Sequence, residues 1–298
     1  MADDERVAVV IVTRDTRDEV LGCLGSVGAD EADDIVVVDA GSRDGTIDAV
    51  RAARPDVTTI ALGDVGFAAA ANAGIAATTA PVVVVLNADV RVRPGSLGAL
   101  GRRVRLHPRV AAAGPRVRYP DGTPQASARR VPDPITAIGH AALGWWAPRN
   151  RFTRRYRALD EDPTLARDVG FLSGCALALD RAALESVGGF DDAYRLYVED
   201  LDLAVRLRRA GWRIVYEPAA EVVHRVGAST SQRPWRSRLR HARGIARYVV
   251  RHLPGGPLVL LVLLPGLVLW VLVTGTLTAR RRSTQSSTGE VLVGGRDG

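Results

Sequence analysis

The chain has 298 residues, 47% of them hydrophobic, which is enough for one large domain or two small ones with a sizeable core. Its 40 basic side chains are all Arg against 33 acidic ones, and the net charge of +7 favours anionic partners such as phosphates, anionic lipid or nucleic acid. Cys23 and Cys175 are too few and too far apart for a disulfide framework, and the acidic start Met-Ala-Asp-Asp-Glu-Arg has no signal-peptide pattern, so the first domain is expected in a reducing cytoplasm.

Residues 7–12 form a continuous β-branched run, the pattern of a parallel strand covered on both faces. A helix is predicted over 15–27, a strand over 35–38, a helix over 46–54 and a short strand over 58–61. An Ala-rich helix over 68–77, a strand over 82–86 and a helix over 95–107 complete a β-α alternation that predicts a doubly wound α/β sheet. Three strands end in polar residues: Thr13, Asp39, and the pair Asn87 and Asp89. Ligands of open parallel sheets bind beyond the carboxyl ends of the strands, so these residues are expected to face one. Asp44, in Asp-Gly-Thr, is equally well explained as the cap of the next helix.

From 115 to 168 the pattern loosens into a Pro-rich and Arg-rich excursion. Order returns with a small-residue turn feeding a strand at 169–179, a helix at 181–187 and a turn at 188–191. Residues 197–211 then read as a helix with Glu199, Asp200 and Asp202 crowding its start and Gly211 as its stop. Asp202 and Arg206 have the spacing of a helical ion pair, which marks Asp202 as structural. Strands are predicted at 212–216 and 220–224, the second ending at His224.

The last third is written for a different solvent. Residues 233–251 carry seven arginines interleaved with Trp235, Leu239, Ile245, Tyr248 and Val249, the pattern of a basic amphipathic helix on a membrane surface. After Pro254-Gly-Gly-Pro257 comes an uncharged run over 258–278, long enough to span a bilayer, although Pro265-Gly266 leaves a re-entrant hairpin open. The arginines are denser before this run, which keeps the catalytic domain on the cytoplasmic side. The division expected is a catalytic domain over 1–230 (halves 1–114 and 115–230), a surface helix over 231–256, a transmembrane or re-entrant segment over 257–279, and a polar disordered tail over 280–298.

An ordered series of motifs runs through the chain. Val-Ile-Val-Thr stands at 10–13, Val-Val-Asp-Ala-Gly-Ser-Arg-Asp-Gly-Thr at 37–46, Gly-Phe-Ala-Ala-Ala-Ala-Asn-Ala-Gly-Ile at 66–75 and Leu-Asn-Ala-Asp-Val at 86–90. Ser-Gly-Cys-Ala at 173–176, Gly-Gly-Phe-Asp at 188–191, Tyr-Val-Glu-Asp-Leu-Asp-Leu at 197–203 and Val-Val-His-Arg at 222–225 follow. Over residues 6–230 the series resembles a family 2 glycosyltransferase of the GT-A fold, and within that family the bacterial rhamnosyltransferase-like enzymes that act on lipid-linked cell-wall precursors.

The resemblance implies inverting transfer of a sugar from a nucleotide-diphosphate donor, helped by a divalent cation, Mg2+ or Mn2+. Asn87-Ala88-Asp89 matches the family's Asp-x-Asp motif with Asn in first place, leaving Asp89 as the metal ligand, and His224 matches a residue that completes the metal site in some relatives. Asp39 matches a contact to the donor base or ribose, with Thr13 near the base and Asp44 a further candidate there. Arg14 replaces a frequent aromatic residue. Gly66 and Asn72 match a segment beside the donor, although tight helix packing accounts equally for Gly66, Ala68 and Ala69. Asp200 matches the catalytic base, and Glu199 its neighbour at the acceptor.

The partners implied are a nucleotide-sugar donor, a polyprenyl-diphosphate-linked or glycan acceptor and membrane lipid, with no nucleic acid; the arginines of 233–251 suit bidentate contact with the acceptor's phosphate and attraction to anionic lipid headgroups equally. Rhamnose from dTDP-rhamnose is the donor nearest by resemblance, and UDP-galactofuranose, UDP-GlcNAc and GDP-mannose stay open. The Gly-rich phosphate loops of nucleotidyltransferases and dinucleotide enzymes do not follow the first strand, where Thr13-Arg14-Asp15 stands. A silent binding protein on the same fold is disfavoured by the joint presence of Asp39, Asp89, Asp200 and His224.

Overall fold

The structure is a computed structural model, and it describes residues 6–28, 31–144, 146–227 and 234–291. Residues 1–5, Arg233 and residues 292–298, on which part of the sequence reading falls, lie outside the described residues.

The first half alternates as its hydrophobic pattern predicts. Strands β1 (Val7–Thr13), β2 (Asp34–Asp39), β3 (Thr58–Ala61) and β4 (Val82–Asn87) are separated by helices α1 (Arg17–Ser26), α2 (Thr46–Ala53) and α3 (Phe67–Ala76). All four strands run parallel, in the order β3-β2-β1-β4. Every residue of β1 is buried, because both of its faces are covered. Ala8, Val10 and Val12 join one core with α3, while Val7, Val9 and Ile11 join the other with α1. A two-residue alternation thus feeds two cores at once, which gives three layers, α/β/α.

Beyond β4 the sheet becomes mixed. After the short β5 (Val90–Val92) and α4 (Ser96–Leu106) comes β6 (Val110–Arg118), a nine-residue strand where the sequence reading placed none. Its small residues and Pro115 hid it, since they lack the β-branched signature of the other strands. The excursion that follows is shorter than expected and contains short helices, as expected, together with short strands. It holds the two-residue strands β7 (Pro124–Gln125) and β8 (Ala128–Arg129), helices α5 (Pro134–Leu143) and α6 (Arg151–Tyr156), and β9 (Arg167–Asp168).

Next come β10 (Phe171–Leu172), β11 (Ala176–Asp180), α7 (Arg181–Ser186) and α8 (Glu199–Arg209). Strand β11 runs antiparallel between β4 and β6. The two strands predicted at 212–216 and 220–224 are one, β12 (Arg213–His224), whose register slips between Glu217 and Glu221. It pairs parallel with β6 and antiparallel with β5.

Helix α9 (Pro234–His252) is the basic amphipathic helix of the sequence. Its Tyr248 and Val249 enter the same core as α8. Helix α10 (Gly256–Val291) begins after the Pro-Gly interruption, runs on through Pro265, and continues through residues 280–291, where a disordered tail was expected. Its stretch Gly256–Thr274 is long and apolar enough to cross a membrane, with a mean hydropathy of 2.6 and only 6% of it buried. It folds back along α9: Leu260 lies near Val250 and Arg251, and Trp270 near His241.

Candidate active site

The carboxyl ends of β1 and β4 and the start of α8 face a cleft of about 220 Å³. Thr13, Gly66, Asn87, Asp89, Glu199, Asp200 and His224 all line it. The sequence therefore names seven residues, from as far apart as positions 13 and 224, that the fold brings to one place.

Asp89 and His224 meet because β12 pairs antiparallel with β5, setting His224 opposite Val90. His224 Nε2 lies 3.2 Å from Asp89 Oδ1, and its Nδ1 lies 3.1 Å from Gln125 Oε1. Burial opposes the charged imidazole, but Asp89 and Cys175 outweigh it and raise its pKa to about 10. With Gln125 accepting from Nδ1, Nε2 is the nitrogen turned toward Asp89. Once the imidazole releases its Nε2 proton, that nitrogen and the Asp89 carboxylate oxygen beside it would be a fitting donor pair for a divalent cation. Among the described residues no group of three or more His, Cys, Asp or Glu side chains converges in this way. Cys23 and Cys175 are both free thiols, and both are buried.

Asp200 sits in the first turn of α8, where free backbone N–H groups favour a negative side chain. Gly174, in the Ser-Gly-Cys-Ala motif, donates its N–H to Asp200 Oδ2 at 3.0 Å, and Leu201 N–H donates to Oδ1 at 2.8 Å. Burial raises the Asp200 pKa, while these N–H groups and Arg129 restrain the rise. Glu199 is buried and is pushed well above the carboxylate range by burial and by Asp200 beside it, and its Oε2 has no hydrogen-bond partner. Of the pair, Asp200 is the one with N–H donors and a neighbouring positive charge, which favour its anion over that of Glu199.

The turn into α8 is strained. Tyr197 and Val198 both have left-handed backbones, φ 62° and 72°, and for a β-branched residue that is a real cost. Helix α9 covers the turn: the His241 ring stacks 4.7 Å from that of Tyr197, and Gly244 lets α9 approach the Tyr197 carbonyl. Gly66 is fixed by a similar closeness. Its φ is 93°, and a Cβ there would stand 2.6 Å from the Arg195 carbonyl oxygen.

Three expected donor residues are engaged elsewhere and do not line the cleft. Asp39 pairs with Thr13 at the strand ends, but its carboxylate accepts the Ser42 N–H at 3.0 Å and closes the turn after β2. Asp44 accepts from Thr46 N–H at 3.1 Å and Arg17 N–H at 3.2 Å, the cap-like role that was its alternative. Asn72 clamps α3 to the Gly-Gly-Phe-Asp turn through Phe190 N–H at 3.0 Å, Phe190 carbonyl at 2.8 Å and Asp192 at 2.7 Å.

Asp202 is structural, as its spacing to Arg206 predicts. That pair is 2.7 Å apart, and His252 of α9 adds a second contact at 2.6 Å. Sequence reasoning missed Arg129, which lies behind Asp200 with its guanidinium over the Tyr156 and Phe171 rings. It also missed Gln125 and Arg195, while Arg236 and Arg240 of the arginine run over 233–251 join Arg195 in lining the cleft. Nothing in their local sequence marks them; the tertiary fold alone brings them there.

A parallel nucleotide-binding half, closed by antiparallel strands and carrying an Asp–His pair opposite a helix-borne carboxylate, is the GT-A form of nucleotide-sugar transferase. The chain belongs to glycosyltransferase family 2: the model described as "Glycosyltransferase like family 2" matches residues 5–246. It is 40% identical over 212 residues to an N-acetylglucosaminyl-diphospho-decaprenol L-rhamnosyltransferase of Mycobacterium tuberculosis, covering 67% of this chain and 69% of that one. A pre-mycofactocin glycosyltransferase of the same species is 31% identical over 215 residues, 70% of this chain and 40% of that one. Among solved structures, GalNAc-T7 with UDP, GalNAc and Mn2+ matches with a TM-score of 0.56 and 16% identity, over 83% of this chain and 50% of that one. A mannosyltransferase of Pyrobaculum calidifontis with GDP-Man and Mn2+ matches with a TM-score of 0.51 and 20% identity, over 96% of this chain and 80% of that one.

Proposed function

We propose that the chain is an inverting glycosyltransferase that moves rhamnose from dTDP-rhamnose to a polyprenyl-diphosphate-linked glycan at the cytoplasmic face of a membrane. The observation that carries the reaction type is one cleft lined both by Asp200, with its backbone N–H donor, and by the Asp89–His224 pair. The sugar and the lipid-linked acceptor are supported by the name of the mycobacterial relative at 40% identity.

In this reading the acceptor hydroxyl gives its proton to the Asp200 carboxylate as its oxygen bonds to the anomeric carbon. The bond from that carbon to the donor phosphate breaks on the opposite face, and the diphosphate leaves with the electron pair. Glu199, kept neutral by burial and by Asp200, is suited to orient the acceptor hydroxyl. Asp89 and His224 would hold a divalent cation, Mn2+ in preference to Mg2+ because Mg2+ favours oxygen ligands alone. When bound, the cation supplies positive charge against the departing diphosphate.

The membrane reading is supported by the exposed apolar side chains of α10, among them Leu258, Leu261, Val262 and Leu269. Packed along α9, α10 could cross a bilayer only by taking the α9 arginines with it, at about 2.5–3.5 kcal/mol or more for each. The packing therefore favours a hairpin seated in the membrane surface over a span.

The test is transfer by full-length protein in detergent, with a panel of nucleotide sugars and a short-chain polyprenyl-diphosphate-linked GlcNAc acceptor. Rhamnosyl product with inverted anomeric configuration is expected. Asp200→Asn should abolish transfer and leave nucleotide binding nearly intact. Wild-type turnover in Asp200→Asn would remove it as the base, and transfer from another donor alone would replace rhamnose.

A further inference from the structure

Asp64, in the turn between β3 and α3, gathers four guanidinium groups. Arg240 reaches it with contacts of 3.0 and 2.8 Å, Arg236 with one of 2.8 Å, and Arg195 comes within 3.7 Å. Arg14 completes the set with a short hydrogen bond. They come from three separate places: the end of β1, the loop before α8, and the first turns of α9. All four line the cleft that holds Asp200, and Asp64 itself does not.

The charges do not balance. Among the described residues, Asp15, 3.9 Å from Arg14, is the other carboxylate in the ion pairs of these arginines, so there positive groups outnumber negative ones by two to one. Two of the arginines are well covered: Arg14 is 17% exposed and Arg240 is 14% exposed. Covering like charges around one acid costs stability unless a further anion joins them. Their planar forks match the spread, multiply charged oxygens of a diphosphate.

We propose that Arg14, Arg195, Arg236 and Arg240 form a diphosphate-binding subsite, with α9 as its closing wall and Asp64 as the internal anion that holds the arginines until the ligand arrives. The proposal rests on the transferase reading for its natural ligand, which has two possible sources: the donor's diphosphate or the acceptor's. The subsite also gives α9 a task at the site besides meeting lipid.

Calorimetric binding to the full-length protein in detergent tests this, with divalent cation removed so that Asp89 and His224 do not contribute. The probes are inorganic pyrophosphate, orthophosphate, dTDP and farnesyl diphosphate. Arg236→Gln, at a half-exposed side chain that does not support the core, and Arg240→Gln are each expected to weaken pyrophosphate binding roughly tenfold. Asp64→Asn should tighten it several-fold by removing the competing anion.

With pyrophosphate binding weakened, a further loss for dTDP but not farnesyl diphosphate assigns the subsite to the donor, and one for farnesyl diphosphate but not dTDP assigns it to the acceptor; either supports the proposal. Orthophosphate binding as tight as pyrophosphate, or unchanged binding of all diphosphates in both Arg variants, would overturn it. Unchanged pyrophosphate affinity in a folded Asp64→Asn protein would overturn the role given to Asp64. Transfer by the wild type is scored separately. An inactive wild type that binds pyrophosphate through these arginines refutes the transferase reading alone. An active one whose Arg variants bind pyrophosphate normally refutes the subsite alone.

Discussion

Replacing Asp202 by Ala should loosen the whole acceptor side of the molecule. Its side chain is 0% exposed and accepts from Arg206 Nε at 2.7 Å and from His252 Nε2 at 2.6 Å. The histidine is neutral in this arrangement. Arg209 can only donate, and it reaches His252 Nδ1 at 2.9 Å, so the ring proton lies on Nε2. Burial pushes the His252 pKa below its ordinary 6.5, and the pull of Asp202 offsets this only in part.

Each hydrogen bond to the carboxylate is worth about 1.5–3 kcal/mol, and removing one partner of a buried ionic cluster costs about 3–5 kcal/mol. Arg206 keeps the Val187 and Gly189 carbonyls at 2.7 and 2.8 Å, which holds the loss to about 4 kcal/mol. At roughly 2–4 °C per kcal/mol for a domain of this size, Tm should fall by about 10 °C. Thermal melts followed by near-UV circular dichroism measure it. Asp202→Ala combined with His252→Ala should lose less than the two single losses added, because both remove one contact. A drop in Tm below about 3 °C, or strict additivity, would refute the clamp. The pH dependence has a definite sign. A histidine with a lowered folded pKa contributes fully above its unfolded value, so the stability from His252 is complete above about pH 6.5 and is lost as pH falls through the lowered value. Wild-type Tm should decline on that side, and His252→Ala should decline less.

Four further outcomes follow from the same contacts. Glu199→Gln removes a carboxyl whose pKa is raised, a stabilising influence present at low pH and lost as pH rises through the raised value. Its Tm advantage over wild type should therefore widen from pH 5 to pH 8, and a flat difference would contradict the assignment. Arg129→Met removes a positive charge that lowers the Asp200 pKa, so the acid limb of kcat/KM against pH should move to higher pH, while an unmoved limb would show that Arg129 does not act on the proposed base. Gly66→Ala forces a Cβ against the Arg195 carbonyl at φ 93° and should cost about 2 kcal/mol in denaturant unfolding. A chain ended at residue 255, which keeps the basic helix α9, should sediment far less than the full chain with uncharged liposomes; equal sedimentation would remove α10 from membrane binding.

The first half of the fold was legible because its strands are buried on both faces. Val7, Val9 and Ile11 enter one core and Ala8, Val10 and Val12 the other, so the run is unbroken in sequence and hard to mistake. Strand β6 was not legible, because Ala111, Ala112, Ala113 and Gly114 carry little strand signal and Pro115 argues against one. It forms because β11 and β12 flank it, and pairing across the sheet outweighs local preference. The slip between Glu217 and Glu221 likewise made one strand look like two.

The site divides along the same line. Asp89, Asp200 and His224 stand at the ends of elements, and a sequence shows where elements end. What tunes them comes from loops and helices with no local signature. Arg129 and Gln125 arrive from the loosely patterned excursion, and Arg236 and Arg240 from a helix whose arginines suit acceptor phosphate and anionic lipid alike in sequence. Asp202 shows why this matters for the chemistry. It lies two residues beyond the proposed base on α8 and binds His252 on α9, while α9 also covers the strained Tyr197–Val198 turn that leads to Asp200. The proposed base thus stands on one helix, but its position depends on a second helix more than forty residues later. Loss of the Asp202–His252 contact should lower kcat through misplacement of Asp200, with a smaller effect on donor binding at the parallel half.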